Sequence, residues 1–159
     1  MNNQSKRFEK YLGFLNANIK IIKRFKKRKC PKISVISPIF NRERYIPRFI
    51  RSIQYQYFND IEIIFVNDCS TDNSANIIET YSKHDKRMQL IKLKKNKGTF
   101  TARNIGILLS KGKYIIFPDP DDIISKNILN KCYQYCERNK YEMIRFIIYN
   151  GKNTDDFFY

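Results

Sequence analysis

The residues best suited to chemistry in this chain are aspartates that follow two apolar segments. Asp119, Asp121 and Asp122 fall within four consecutive positions directly after one segment. Asp68 occupies the same place after another. Carboxylates two residues apart on an extended segment point to the same side, and like charges this close repel unless a cation offsets them. Because Mg²⁺ and Mn²⁺ take carboxylate and phosphate oxygens, the pattern predicts a divalent-metal site, although a lone aspartate there would be an ordinary turn residue.

These aspartates must be positioned by the segments around them, in which apolar strand patterns alternate with helical patterns. The strand patterns cover residues 33–37, 61–66, 89–93, 113–117 and 143–148. The helical patterns cover residues 44–57, 74–83, 101–109 and 127–139. Such alternation predicts an α/β fold, with a Rossmann-like, mostly parallel sheet and helices on both of its faces. Ligands of such sheets bind beyond the carboxyl ends of the strands, and both acidic segments are expected at that edge.

The composition is that of a folded domain with an appendage. The chain has 159 residues, of which 42% are hydrophobic, and this is too many for a disordered tail. A chain of this length buries roughly 70% of its unfolded surface in one core. Because no apolar run approaches the roughly 18 residues of a membrane-spanning helix and no secretory signal begins the chain, we expect a cytoplasmic protein. The four cysteines lack the spacing of a zinc site or a disulfide framework, which predicts free thiols.

Most of the positive charge lies in residues 1–32. The whole chain carries a net charge of +16, and this arm contributes +10, with eleven Lys or Arg against Glu9. Its apolar residues recur at spacings of three and four, which predicts a basic amphipathic helix. Such a helix suits the anionic cytosolic face of a membrane or an acidic partner, but it could equally pack on its own domain with a solvated basic end. Nucleic acid is a third alternative for the arm, though it is not an expected partner of the whole protein.

Two common nucleotide-binding motifs are missing from the sequence. It contains neither GxGxxG nor GxxxxGK[ST], and glycine occurs only five times. The chain is therefore not expected to be a dinucleotide-dependent dehydrogenase or a P-loop NTPase. A sheet edge that offers carboxylates and a metal suits instead a nucleoside diphosphate whose charge a bound cation neutralises.

Four segments together resemble family 2 glycosyltransferases of the GT-A fold. They are ISVISPIFN at 33–41, IEIIFVNDCSTD at 61–72, NKG and ARNIG within 96–106, and GKYIIFPDPDD at 112–122. The segments follow the family's order and approximate spacing, and the resemblance covers residues 33–150. It implies a hexosyl or related transferase with a nucleotide-diphospho-sugar donor and Mn²⁺ or Mg²⁺. The implied transfer inverts the configuration at the anomeric carbon of the sugar. The acceptor could be a polysaccharide, a glycan or a lipid.

The resemblance assigns roles to the acidic residues. Asp119-Pro120-Asp121 is similar to the family's DxD element, whose first acid contacts the donor's ribose or the metal and whose second acid usually ligates the metal. Asp121 is therefore the expected metal ligand, with Asp119 and Asp122 in support. Asp68 matches the acid that contacts the nucleotide base in this family, where a carboxylate can accept a hydrogen bond from an imide N–H.

The resemblance also assigns three further donor contacts. Pro38 and Phe40 match the first-strand segment that lies against the base, where an aromatic face can stack. Arg103 matches the Arg of the family's ARN element, and its guanidinium suits bidentate contact with phosphate. Each residue has a structural alternative: Pro38 as the end of a strand, Phe40 as a core residue and Arg103 as an exposed helix charge. For Phe40 taken alone, the core is the preferred interpretation.

The sequence departs from the family after the second strand. Where the family often has Asp-Asp-Gly-Ser, this chain has Asn67-Asp68-Cys69-Ser70, so that it lacks the first acid and replaces the glycine. The lost carboxylate is expected to bear on nucleotide preference. Cys69 is expected to restrict the backbone of the turn relative to glycine.

No general base can be assigned from the sequence. An inverting transfer needs a group that deprotonates the acceptor hydroxyl, which in this family is an Asp or Glu well beyond the DxD element. The acids that follow Asp122 fall in no matching motif, and they are Glu137, Glu142, Asp155 and Asp156. Residues 151–159 are interpreted as a tail that ends before the acceptor-binding half. Three alternatives stay open: a donor-binding module without catalysis, a basic protein that binds membrane surfaces or nucleic acid, and a nucleotidyltransferase.

Overall fold

The computed structural model describes residues 13, 19–21, 30–141 and 143 of the chain. Its strands are β1 (Ile19–Ile21), β2 (Ile33–Ile39), β3 (Ile61–Asn67), β4 (Met88–Leu93) and β5 (Tyr114–Ile116). Its helices are α1 (Ile46–Gln54), α2 (Ser74–His84), α3 (Gly98–Leu109) and α4 (Ile128–Asn139). The predicted elements from residue 33 to residue 139 are therefore confirmed, with shifts of a few residues at their ends.

The described strands form one sheet in the order β1-β4-β3-β2-β5. β2, β3, β4 and β5 are mutually parallel, with Ile33 of β2 opposite both Ile61 of β3 and Tyr114 of β5. Every residue of the two central strands is buried, which explains their continuous β-branched composition. The prediction of a mostly parallel α/β sheet is confirmed.

The sheet is covered by helices on both faces, as the sequence predicts. On one face, α1, α2 and α4 contribute to a core that includes Phe49, Ile78 and Leu129. On the other face, α3 packs Ala102 and Ile105 against the sheet. This packing places the N-termini of α1, α2 and α3 at the carboxyl edge of the parallel strands, where the site residues lie.

The opposite edge of the sheet is fixed by a buried carboxylate. Glu62 Oε1 on β3 accepts hydrogen bonds from Ser34 Oγ and from the backbone N–H of Lys111, each at 2.5 Å. It also accepts a hydrogen bond from the backbone N–H of Gly112 at 3.1 Å. These bonds anchor the start of β5, and β5 in turn leads directly into the acidic segment.

The prediction of a helix over the basic arm is wrong at Ile19–Ile21. These residues form β1, which pairs antiparallel with β4 and places Ile19 opposite Leu93. The physical reason is that Ile-Lys-Ile alternates with period two, and the free edge of β4 supplies backbone hydrogen-bond partners. The rest of the predicted arm helix, apart from Gly13, and the predicted strand at 143–148, apart from Met143, lie outside the described residues.

Two further expectations can be compared with the structure. All four cysteines lie in the described residues and are free thiols, as predicted. None of the described helices combines the length and the apolar character that crossing a bilayer requires.

Candidate active site

The acidic segment after β5 forms a tight turn at the carboxyl edge of the sheet. The backbone N–H of Asp122 donates to the carbonyl of Asp119 at 3.1 Å, and Pro120 between them is buried. Asp119 and Asp121 are exposed, whereas Asp122 is partly buried. We call residues Asp119–Asp122 the acid turn. Its backbone presents two of its three carboxylates to solvent.

Arg103 on α3 binds the first carboxylate of the acid turn. Its Nη2 donates to Asp119 Oδ1 at 2.8 Å, although sixteen positions separate the two residues. The Nε of Arg103 is buried and has no hydrogen-bond partner among the described residues. Arg103 is therefore more than an exposed helix charge, because its guanidinium lies against the DxD motif that the resemblance assigns to the donor's ribose and the metal.

Two arginines, one just before α1 and one within it, lie against Asp121. Arg42 Nε lies 3.9 Å from Asp121 Oδ2, and both side chains are about half exposed. Arg48 Nη2 donates to the main-chain oxygen of Asp121 at 3.4 Å. The acid turn is thus flanked by positive charge from two different helices.

Asp122, the third carboxylate of the acid turn, is influenced by the charges of the other two. Partial burial, together with the negative charges of Asp121 and Asp119, raises the pKa of Asp122 above its ordinary value. Among the described residues, no three His, Cys, Asp or Glu side chains converge closely enough to form a ready-made metal site. The chemistry of the donor set nevertheless fits a divalent cation, because carboxylates are hard oxygen ligands and the negative charges of Asp119 and Asp121 act unfavourably on a charged Asp122.

Asp68 has a structural role that the sequence did not reveal. It is only 2% exposed, and its two carboxylate oxygens accept hydrogen bonds at 2.7 Å from the backbone N–H groups of Lys97 and Gly98. These N–H groups lie at the N-terminus of α3, where the N-cap residue Lys97 makes no side-chain cap bond and Gly98 adopts a φ of +83°. The N–H of Gly98 also donates to Asn96 Oδ1 at 3.1 Å. Asp68 therefore caps α3 from a neighbouring loop. The base contact that the resemblance assigns to Asp68 stays a prediction.

The structure decides between the alternatives for the first-strand residues. Pro38 lies inside β2, opposite Val66, and the strand continues beyond it, so Pro38 does not end the strand. Phe40 is 43% exposed directly after β2, so the interpretation of Phe40 as a core residue is wrong. An exposed aromatic ring beside the carboxyl edge is available to a planar ligand such as a nucleotide base.

Two loops beside Phe40 are interlocked by hydrogen bonds that the sequence did not predict. Asn41 adopts a φ of 50°, and its Oδ1 accepts a bond from the backbone N–H of Thr71 at 2.9 Å. Two more bonds join the loops: Glu43 N–H donates to Asp72 Oδ2 at 3.0 Å, and Asn73 N–H donates to Glu43 Oε2 at 2.9 Å. Short polar residues after each strand are the signal that could have indicated this contact.

The charge of Asp72 is stabilised by this interlock. Burial alone would raise its pKa, but hydrogen bonds from Ser74 and from the backbone of Glu43 lower the pKa of Asp72 below its ordinary value. Asp72 Oδ1 also accepts a bond at 3.0 Å from the backbone N–H of Ser74, at the start of α2. The loops after β2 and β3 therefore form one rigid wall of the site.

The departure from the family's motif has a visible effect on the backbone. Cys69 adopts a φ of 60°, in the region where glycine has no steric cost, and its Sγ lies 3.6 Å from the carbonyl oxygen of Lys94. Asn67 is buried in β3 between Ile39 and Lys92, and its Oδ1 has no partner within the described residues. Asn67, which stands where the family often has its first Asp, is thus part of the buried sheet.

The described residues beyond the acid turn do not supply the general base. Glu137 accepts hydrogen bonds from Lys113 Nζ at 2.5 Å and from the Tyr114 hydroxyl at 2.8 Å, at the start of β5 and away from the acid turn. These hydrogen bonds lower the pKa of Glu137 below its ordinary value, and the bond from Lys113 has the largest effect. Glu137 therefore fastens α4 to β5. Glu142, Asp155 and Asp156 lie outside the described residues.

The fold is that of an α/β domain of the GT-A type, and comparison with known proteins agrees. The family model described as glycosyl transferase family 2 matches residues 34–158. Glycosyltransferase GlyG of Streptococcus pneumoniae is 35% identical over 127 residues, which are 80% of this chain and 42% of GlyG.

Solved structures show the same fold. S. aureus TarS in complex with UDP-GlcNAc matches with a TM-score of 0.68 and 30% identity, over 77% of this chain and 36% of the TarS chain. The mannosyltransferase PcManGT of Pyrobaculum calidifontis, in complex with GDP-Man and Mn²⁺, matches in fold with a TM-score of 0.56 and 19% identity, over 64% of this chain and 32% of its own.

The chain belongs to glycosyltransferase family 2, and its fold is of the GT-A type. The family expected from the sequence motifs is confirmed. The chain spans about two fifths of GlyG and of the TarS chain.

Proposed function

We propose that this chain supplies the donor-binding part of a glycosyltransferase, which moves a sugar from a nucleotide-diphospho-sugar to an acceptor hydroxyl. The observation that carries the proposal is the hydrogen bond between Arg103 and Asp119, which unites the family's two donor motifs at the carboxyl edge of the parallel sheet. Support also comes from TarS, which binds UDP-GlcNAc and shares 30% identity with this chain. A UDP-sugar is therefore the first donor to test.

The nucleoside is proposed to lie between the first two strand ends. The exposed ring of Phe40 would stack on the base, with Pro38 shaping the strand beneath it. Asp68, whose oxygens already accept backbone hydrogen bonds, would use a remaining lone pair for the base N–H. The interlocked loops keep Phe40 and Asp68 at a fixed separation, so the site is preorganised for a flat ligand.

The diphosphate is proposed to lie at the acid turn. Asp121, supported by Asp119 and Asp122, would hold Mn²⁺ or Mg²⁺. When bound, a divalent cation neutralises charge on the diphosphate and so improves it as a leaving group. Arg103 would add bidentate contacts to phosphate oxygens, for which its partly exposed guanidinium is suited.

Transfer with inversion needs direct attack by the acceptor hydroxyl, assisted by a general base. Because the acid turn and Arg103 bind only the donor side, we propose that the base and the acceptor site lie outside the described residues. The acceptor would be a polysaccharide, a glycan or a lipid. We further propose a cytoplasmic location, with the basic residues 1–32 directed to an anionic membrane surface.

A second candidate function is that of a donor-binding module without catalysis. The observation in its favour is that Glu137, the one acid after the acid turn in the described residues, is bound to Lys113 and Tyr114. Such a module would bind the donor and would leave the transfer to another polypeptide.

Calorimetry with a panel of UDP-, GDP- and dTDP-sugars, each with Mn²⁺ and with EDTA, tests the proposal. We expect micromolar to millimolar binding of at least one donor that weakens in EDTA. Chromatography of the same mixtures then measures release of nucleoside diphosphate. Turnover by the chain alone supports the transferase, and binding without turnover supports the module. If no donor in the panel binds, the proposed function is wrong.

A further inference from the structure

Arg42 lies where three loops of the candidate site meet. Its backbone N–H donates to Ser74 Oγ at 2.9 Å, so the N-terminus of α2 fixes its main chain. Its Nε lies 3.9 Å from Asp121 Oδ2, at the acid turn. The carboxylate that is proposed to ligate a cation is therefore already faced by a positive side chain of this chain.

We propose that Arg42 is an exchangeable counter-cation of the acid turn. Its guanidinium balances the charge of Asp121 in the ligand-free protein and moves to the donor's diphosphate when a divalent cation occupies the acid turn. The inference rests on the proposed function. It assigns Arg42 both a competitive role toward the free cation and a binding role toward the nucleotide.

The geometry of the Arg42–Asp121 pair suits exchange. The separation of 3.9 Å is at the limit of an ion pair, and the side chains are 43% and 50% exposed. Pairs of this kind are weak and screened by solvent, so a doubly charged cation displaces the arginine readily. A guanidinium released beside a diphosphate finds a planar, bidentate partner in its oxygens.

Neighbouring arginines are held differently, which singles out Arg42. Arg103 is bound to Asp119 at the shorter distance of 2.8 Å, and Arg48 donates to the main-chain oxygen of Asp121. Arg44, two positions from Arg42, is exposed and has no ion pair within the part of the chain that the structure describes.

The main chain at Arg42 is held on both sides, whereas its half-exposed side chain makes, besides the pair with Asp121, one long hydrogen bond from Nη1 to the main-chain oxygen of Asn41 at 3.3 Å. Asn41 N–H donates to Ser70 Oγ at 3.1 Å, and Glu43 N–H donates to Asp72 Oδ2 at 3.0 Å, one on each side of Arg42. Movement between Asp121 and a bound diphosphate therefore requires only rotation of the Arg42 side chain. No rearrangement of the loop is needed.

The test compares Arg42→Gln with the matched control Arg44→Gln in two separate binding measurements. Mn²⁺ alone is titrated at low ionic strength, with free Mn²⁺ followed by electron paramagnetic resonance. UDP is titrated by calorimetry with saturating Mn²⁺, the state in which the guanidinium of Arg42 is proposed to contact the diphosphate. Removal of one positive charge near a divalent site at this separation predicts about three- to tenfold tighter Mn²⁺ binding by Arg42→Gln. Loss of the phosphate contact predicts about three- to tenfold weaker UDP binding.

The two expected changes in affinity have opposite signs, which distinguishes them from a folding defect, because a folding defect would weaken the binding of both ligands. We expect Arg44→Gln to stay within about twofold of the wild type for both ligands, since screening reduces its effect on the site. Equal or weaker Mn²⁺ binding by Arg42→Gln overturns the inference, as does unchanged UDP binding. Failure of the wild type to bind UDP or any UDP-sugar would instead contradict the proposed function. In that case the Mn²⁺ titration still measures, independently of UDP, whether Arg42 competes with the cation.

Discussion

Replacing Asp68 with Asn would remove a charge while keeping the size of the side chain. Both oxygens of Asp68 accept backbone hydrogen bonds at 2.7 Å from the N-terminus of α3, and the residue is 2% exposed. An Asn amide keeps one acceptor oxygen but turns an NH₂ donor toward the other backbone donor. One charge-assisted bond is therefore lost, while the N–H of Gly98 keeps a second acceptor in Asn96 Oδ1 at 3.1 Å.

The expected cost can be estimated from these contacts. A hydrogen bond to a charged group contributes about 1.5–3 kcal/mol, and a carboxylate at a helix N-terminus adds about 0.5 kcal/mol. We therefore expect Asp68→Asn to lower the free energy of unfolding by about 3 kcal/mol. For a domain of this size, that change corresponds to a drop in Tm of roughly 6–12 °C.

Urea unfolding followed by circular dichroism measures this cost, with Asp60→Asn as the matched control. Asp60 is exposed, and the hydrogen bonds that the structure gives it run through its main-chain oxygen. Amide hydrogen exchange at Gly98 should also accelerate in Asp68→Asn. A loss below about 1 kcal/mol relative to the control, with unchanged exchange at Gly98, would refute the capping role of Asp68.

Two further predictions concern the packing and the charge of the same framework. A Cβ at Gly106 would collide with the side chain of Ile36, so Gly106→Ala should destabilise the domain by about 1–3 kcal/mol in urea unfolding, and an unchanged midpoint would contradict this. Burial would raise the pKa of Asp85, but the hydrogen bonds and charge of Arg87 lower this pKa below 3.8. The stabilisation that charged Asp85 gives the fold is therefore complete above pH 3.8, and it is lost as the pH falls through the lower pKa of the folded state. Asp85→Asn should therefore show a smaller drop in the urea midpoint between pH 5 and pH 2 than the wild type, and an identical drop would count against the pair.

Much of the fold could be predicted from the sequence because its signals are local. The buried runs of β2 and β3 and the turn residues after them indicate a parallel sheet without any knowledge of tertiary contacts. β1 could not be predicted, since its three residues become a strand only because β4 leaves an edge free. Apolar spacing in the arm indicated a helix there, and pairing with a distant strand overrode that local preference.

The candidate site divides in a similar way. The acid turn and Arg103 could be identified from their motifs, but their hydrogen bond joins two segments whose approach depends on the packing of α3. The capping role of Asp68 could not be predicted, because it depends on where the N-terminus of α3 lies relative to β3. Phe40 was misjudged when taken alone, because hydrophobicity does not show that a residue lies just beyond the end of a strand.

The most direct test of the central claim is the affinity of the wild type, Asp121→Asn and Asp60→Asn for UDP-GlcNAc with Mn²⁺, measured by calorimetry. Asp121 is exposed at the acid turn, and loss of its charge should not unfold the domain. If the acid turn holds the cation that binds the diphosphate, Asp121→Asn should lose at least about tenfold in affinity, or about 1.4 kcal/mol, while Asp60→Asn binds like the wild type. Equal affinity in all three proteins would contradict the account.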